Sequence, residues 1–294
     1  MTYQRDIILL FSARIIRLFC YGFLSVILAL YLAETGFDEK QIGLLFTLTL
    51  LGDAGITLWL TTNADRVGRR KTLLIGALLM IGAGGVFIVT HNIVILMAAA
   101  IIGVISPSGN EIGPFLSVEQ AGLTQLISDE KRTQIFAWYN MVGSFATATG
   151  ALAGGWLAKI LPGSGWTQLE SYRFVLMGYG LGGVVLVLLF LGLSSAIEVT
   201  QVTTKAKLTL GLHRSRNVVF KLSALFALDA FAGGLVVQSM MAYWFHKKFG
   251  VDSGTLGSIF FGANVLAGFS ALLAVPLANK IGLINTMVFT HIPS

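Results

Sequence analysis

The sequence has little charge, a single cysteine and only five prolines in 294 residues. Charged residues make up 12% and hydrophobic ones 55%, with mean hydropathy +0.80, so polar side chains are too few to cover a soluble domain of this length. Cys20 has no partner for a disulfide. His91, His213, His246 and His291 are dispersed without metal-ligand spacing, so neither a disulfide scaffold nor a metal centre is expected. No nucleophile, base and acid are collected as a catalytic site requires, and neither an enzyme nor a cofactor site is expected. The period-2 alternation of a β-barrel is missing as well. At the N-terminus, "MTYQRDIILLFSARIIRLFCYG" has an apolar run interrupted by Arg14 and Arg17 and lacks a small-residue cleavage pattern, so it does not read as a removable signal peptide.

What the chain does have is long apolar segments, again and again. Crossing roughly 30 Å of hydrocarbon takes about 20 mostly apolar residues in a helix. Spans are predicted at about 8–33, 42–62, 72–90, 93–114, 133–160, 173–194, 218–245 and 255–277, with a ninth beginning near 284. The expected class is an all-α integral membrane protein.

The cations set an orientation. With the N-terminus in the cytoplasm, Arg5, Arg66, Arg69, Arg70, Lys71, Lys131, Arg132, Lys205, Lys207, Arg214, Arg216, Lys221 and Lys280 fall inside. Only Lys40, Lys159, Arg173, Lys247 and Lys248 fall outside. The net charge of +6 is thus read as a topology signal, and no nucleic-acid partner is expected.

A shift of 214 residues aligns Gly36, Asp38 and Gly43 with Gly250, Asp252 and Gly257, and Phe46 with Phe260. It also aligns Ala64, Arg66, Gly68 and Thr72 with Ala278, Lys280, Gly282 and Thr286. This implies a six-helix unit over 1–200, a cytoplasmic linker over 201–217, and an incomplete second unit over 218–294 in the same orientation. A second unit of equal length would run about 100 residues past Ser294, so the chain is expected to stop within its ninth helix.

The inner turn "TTNADRVGRRKTLL" holds Asp65, Arg66, Gly68, Arg69 and Arg70, which match the pattern G-x-L-A-D-R-x-G-R-K/R except that Thr61 replaces the glycine and Asn63 the leucine. With its doubled arrangement of helices, the chain resembles the major facilitator superfamily (MFS) of secondary transporters. A second resemblance lies in "GALAGGWL", where Gly150, Gly154 and Gly155 are similar to the G-P-x-x-G-G stretch of antiporter members, with Ala151 in place of proline. The resemblance implies the MFS fold and alternating access around a midplane cavity. It implies that Asp65, Arg66, Gly68, Arg69 and Arg70 act as a cytoplasmic gate motif, with Asp65 facing a helix N-terminus of the opposite half. The counterpart "ANKIGLIN" has Asn279 for the aspartate and Leu283 and Ile284 for the arginines, so this lock is expected to be asymmetric.

Ionisable groups within the spans mark sites by default. Arg14 and Arg17 share a helical face that Tyr21 extends; they either snorkel toward headgroups or form an anion-attracting pair. Asp53 and Asp229 lie mid-span, each either a structural partner or a protonatable carboxylate, with Gly233 and Gly234 one turn beyond Asp229. In "ISPSGNEIGPF", Pro107 and Pro114 bracket Glu111, so the fourth helix either ends there or is broken at a site; counting from Ile93 places Glu111 near the cytoplasmic end. Glu119 and Arg132 are assigned to the inner connection between helices four and five, in the charge network of the gate turn. Gly150, Gly154 and Gly155, and likewise Gly178, Gly182 and Gly183, are read as helix-packing positions.

The expected function is secondary active transport of a small organic solute, as proton-coupled efflux. The alternatives are proton-coupled uptake of a sugar or other metabolite, and a non-transporting fragment or receptor-like protein of the same fold. The expected setting is a monomer, spanning the plasma or cell inner membrane many times, with a small-molecule substrate, protons and the lipid bilayer as partners.

Overall fold

Helix starts in this chain are written into short polar motifs. Asp38 caps the third helix by accepting from the Gln41 N–H at 2.8 Å while the Gln41 side chain accepts from the Asp38 N–H at 3.0 Å. Thr167 and Glu170 form the same box ahead of another helix, and Asp252 accepts from the Thr255 N–H at 3.0 Å. The computed structural model describes residues 2–90, 92–199, 216–234, 237–282, 285, 286, 288 and 289, and among them regular structure is helical, without strands.

The first half runs α1 (Thr2–Ser25), α2 (Leu28–Glu34), α3 (Glu39–Val67), α4 (Arg69–Val89), α5 (Ile93–Ile102), α6 (Phe115–Leu126), α7 (Asp129–Ile160) and α8 (Gln168–Leu191). Then come α9 (Arg216–Gly234), α10 (Gln238–Phe249) and α11 (Ser253–Ile281). Four segments, Tyr3–Ser25, Glu39–Val67, Arg69–Val89 and Gln168–Leu191, are each long and apolar enough to cross a bilayer as single helices.

Several expected spans take a different form. The one predicted from residue 8 starts at Thr2 and bends after Ser25, and the one predicted at 218–245 is shared by α9 and α10. The span predicted at 93–114 is helical only to Ile102. Helix resumes at Phe115, so residues 115–126, expected in an inner connection, are helical and the connection shrinks to residues 127 and 128. Of the expected linker, residues 201–215 lie outside those described, as does most of the ninth span.

The repeat is repeated in atoms. Both α3 and α11 have 29 residues, and their bounds differ by 214 at each end. Gly68 and Gly282 terminate them at φ +105° and +86°, a region that only glycine enters without strain. After each glycine a threonine hydroxyl donates back, Thr72 to Gly68 O at 3.0 Å and Thr286 to Gly282 O at 2.9 Å.

Helix α7 holds the two halves together by packing α1 on one face and α11 on another. Small residues make both approaches possible. A Cβ on Gly150 or Gly154 would lie 2.1 Å from the carbonyl oxygen of Phe19 or Phe23, and one on Gly155 would lie 2.4 Å from Ser253 O. We name the face of the bundle that carries residues 63–71 the basic face, and its opposite the distal face. At the distal face, Lys159 pairs with Asp252 at 3.1 Å, Lys247 with Glu39, and Trp156 Nε1 donates to Ser258 Oγ at 3.0 Å.

Two predictions follow from this packing. Gly154→Leu pushes a side chain into backbone that cannot rotate aside, and is expected to lower stability by about 3 kcal/mol. Gly163→Ala, which meets nothing within 4 Å, should leave thermal unfolding in detergent unchanged. Burial disfavours the Asp252 charge, but the Thr255 N–H and hydroxyl and the Lys159 ammonium outweigh it and hold this carboxyl at about 2. A depressed carboxyl contributes fully above the ordinary carboxylate range and loses its contribution as pH falls through about 2. Distal-face distances read by electron spin resonance should therefore change on Asp252→Asn by an amount that is constant between about pH 5 and 8.

Candidate functional site

Residues 103–114 cross the middle of the first half without helix, and their backbone groups need partners elsewhere. The Pro107 and Pro114 rings deny two N–H groups to any helix through this stretch. Gly109 and Gly113 take φ +71° and +76°. Side chains from several helices supply the missing bonds. Tyr179 of α8 donates to Val104 O, Ser106 to Asn110 O at 2.8 Å, and Tyr21 of α1 to Ile112 O at 3.4 Å. Asp53 of α3 accepts from the Gly113 N–H at 2.7 Å.

Glu111, at the centre of this segment, is held by both arginines of α1. Arg14 Nη1 lies 2.8 Å from Oε2 and Arg17 Nε 2.7 Å from Oε1. Arg17 then forks onto Glu119 of α6, with Nη1 and Nη2 at 2.6 and 2.8 Å from the two carboxylate oxygens. Tyr139 of α7 donates its hydroxyl to Glu119, and its ring lies under Arg14, whose Cζ is 4.1 Å from the centroid. Arg14 also donates to Tyr139 O at 2.7 Å and to Asn140 Oδ1 at 3.2 Å. The Arg17 and Glu119 side chains are fully buried, and Glu111 is 13% exposed. Two cations face two carboxylates, so the cluster is neutral when all four are ionised.

This geometry removes one alternative and corrects two expectations. Arg14 and Arg17 do not snorkel, because counter-charges on α6 and the broken segment meet them inside the bundle. Glu111 is not near the cytoplasmic end of a helix that stops there: helix resumes beyond it and the carboxylate lies between two mid-helix arginines. Glu119 is not part of a surface connection with Arg132. It lies on α6 facing α1, while Arg132 pairs with Asp129 at 2.7 Å and donates to Thr124 O at 3.0 Å.

Asp53 stands beside this cluster. It accepts from Gly113 and from the Thr57 hydroxyl at 3.1 Å, and among the described residues no cation forms a salt bridge with it. Arg14, Arg17, Tyr21, Asp53 and Glu111 thus converge on one segment. Asp229 belongs to α9, and its side chain lies outside what the structure describes.

At the basic face, α4 opens on Arg69, Arg70 and Lys71 with no acidic residue in its first turn and no side-chain cap. Glu198 supplies the missing anion, accepting from the Arg69 N–H at 2.7 Å and the Arg70 N–H at 3.1 Å. Arg69 donates to Asp65 at 2.9 Å, Gln125 at 2.8 Å, and the carbonyls of Ala121 and Ile197 at 3.1 Å. Arg70 caps the end of α8 through Phe190 O and Leu191 O. Asp65 faces Arg69 one turn along, at 2.9 Å. Arg69 and Arg70 are thereby tied to the first half, beside a cavity of about 370 Å³ lined by Arg70, Lys71, Ser194, Ser195 and Glu198.

Sequence reasoning did not single out Glu198 or Tyr139. Glu198 had a signal, since the uncapped, wholly basic start of α4 demands an anion from elsewhere. Tyr139 had none, because only the packing of α7 on α1 brings it to Glu119. Glu119→Gln leaves Arg17 buried with half its charge unmet and is expected to cost about 3–5 kcal/mol in thermal unfolding. The double change Arg17→Met with Glu119→Gln should recover most of that loss.

The sequence matches the family model of the Major Facilitator Superfamily over residues 10–293. It is 30% identical over 321 aligned residues to the uncharacterized membrane protein YJR124C of Saccharomyces cerevisiae, covering 99% of this chain and 72% of the yeast protein. Over 143 residues it is 25% identical to the quinolone resistance protein NorA of Staphylococcus aureus, 47% of this chain and 34% of NorA. The fold is similar to that of a bacterial homologue of the human drug peptide transporters PepT1 and PepT2, with TM-score 0.55 and 13% identity over 99% of this chain and 57% of that one. Apolar helices, a doubled architecture and a family match over nearly its whole length lead to one conclusion: this multi-pass membrane protein belongs to the Major Facilitator Superfamily.

Proposed function

We propose that the protein is a secondary transporter that moves a small organic solute by alternating access in exchange for protons, with Asp53 as the coupling carboxylate. The basic face is cytoplasmic in this reading, as the distribution of cations requires, and the membrane is the plasma or cell inner membrane. The state described is then closed outside, since Lys159–Asp252 and Lys247–Glu39 join the two halves at the distal face. Efflux is supported by the similarity to NorA, a quinolone resistance protein.

One observation carries the reading: Asp53 is a carboxylate within a membrane helix that holds the broken segment through the Gly113 N–H and has no cation paired to it among the described residues. It lies twelve residues from Asp65, about 18 Å along α3, too deep for its short side chain to reach either surface. A proton is a counter-charge that such a group can take up and release. Protonation converts a charge-assisted bond to Gly113 into an ordinary one, roughly half as strong, and loosens the tie between α3 and residues 103–114. Arg14 and Arg17 cannot play this part while Glu111 and Glu119 neutralise them.

The test uses the full-length protein in vesicles with an imposed pH gradient and a panel of fluorescent organic cations and quinolones. Solute efflux that dissipates the gradient is expected. Asp53→Asn should abolish pH-driven flux while leaving exchange of solute for solute. Flux driven in the direction of proton entry together with solute would instead identify uptake, and unchanged driven flux in Asp53→Asn would remove the coupling assignment.

A further inference from the structure

Ser25 and Ser239 are 214 residues apart, the spacing of the internal repeat, and they touch: Ser239 Oγ lies 2.5 Å from Ser25 O. Two equivalent residues of a two-fold repeat can meet only close to the axis that relates them. The contact therefore lies close to the axis between the two halves. Three non-helical stretches meet there: the bend between α1 and α2, the extended Val237 ahead of α10, and residues 103–114 between α5 and α6.

The contact is also bonded to the ionisable segment. Ser239 Oγ lies 2.6 Å from Pro107 O, and the Ser239 N–H donates to the same carbonyl at 3.0 Å. Gln238 Nε2 donates to Ser25 Oγ at 2.7 Å, and the Ser25 hydroxyl in turn donates a hydrogen bond to Gly22 O at 2.9 Å. Among the bonded carbonyls of residues 103–114, those of Val104, Asn110, Ile112 and Pro114 are served from the first half and that of Pro107 from the second. Between Pro107 and Glu111 the chain is tied into a turn, with Ser106 Oγ donating to Asn110 O at 2.8 Å and Gly109 lying against Ser25. Pro107 is thereby linked through this turn to Glu111 and Gly113.

We infer that Gln238 and Ser239 are positioning residues for the ionisable site. By holding Pro107 and Ser25 when the distal face is closed, they set the register in which Glu111 meets Arg14 and Arg17 and Gly113 meets Asp53. The two halves are thus coupled to the protonatable group by direct bonds, with no change needed in the gate motif at the basic face. The inference rests on the coupling role of Asp53. The titratable groups facing Asp53 are Glu111 from the broken segment and Tyr21 from α1; behind Glu111 stand Arg14, Arg17, Glu119 and Tyr139.

The test places spin labels at Lys40→Cys and Lys248→Cys, one in each half at the distal face, in the full-length protein in nanodiscs, and reads their separation across a pH series. Ser239→Ala is expected to lower the ratio of distally closed to distally open molecules about fivefold, the usual worth of one hydrogen bond, and to shift the pH midpoint of closure. Ser239→Thr, which keeps the hydroxyl, should restore both, and Gln238→Ala should shift the ratio in the same direction. Monodisperse elution of each variant separates these effects from misfolding. Distal opening with the wild-type midpoint would reduce Ser239 to a latch and overturn the positioning role, as would no change at all. If Asp53→Asn keeps the wild-type midpoint, the coupling assignment fails instead, and the Ser239→Ala shift is still read against that midpoint.

Discussion

A backbone carbonyl at membrane depth that lacks a helical partner must find a donor on another helix, and residues 103–114 impose that demand several times over. Tyr179 from α8 and Tyr21 from α1 answer it within the first half, Ser239 answers it from the second, and Asp53 answers the corresponding demand of the Gly113 N–H. The arrangement of charge in the bundle follows from this. Once the chain leaves the helix, Glu111 is free to lie between Arg14 and Arg17, where a regular helix through Pro107 and Pro114 could not have been built.

The buried charges explain why α1, α6 and α7 act as one body. Arg17 and Glu119 are fully buried, and removing either one strands the other, so the four charges and Tyr139 form a closed set that tolerates little rearrangement. Asp53 differs because it bonds only to neutral donors, a backbone N–H and a hydroxyl. A neutral, locked cluster thus stands next to a carboxylate that, among the described residues, has no cation paired with it.

Seams of small residues let the halves meet without fusing. Gly150 and Gly154 bring α7 onto α1, whereas Gly155 and Gly257 bring it onto α11. The polar contacts between the halves at the distal rim include ion pairs exposed enough that each contributes little on its own. The basic face is organised differently. There Glu198 and the carbonyls at the end of α8 hold Arg69 and Arg70 in the first half.

Much of the architecture was legible in the sequence, and the reason is local. Helices long enough to cross a bilayer follow from composition, and the repeat from residues 214 apart, among them Asp38 and Asp252, which cap α3 and α11, and Gly68 and Gly282, which end them. The family resemblance rested on the same kind of local signal, a charged turn between two helices. The roles of individual charges were not legible, because they depend on which helix lies opposite. Arg14 and Arg17 read equally as snorkelling cations until α6 and the broken segment set two carboxylates against them. Glu119 read as a connection residue until helix resumed at Phe115, and Ser239 carried no signal at all. Hydropathy and capping act over a few residues, so the sequence by itself determined the helices, the repeat and the family. Charge pairing and contact at a symmetry axis act between segments hundreds of residues apart, and only the tertiary structure decided them.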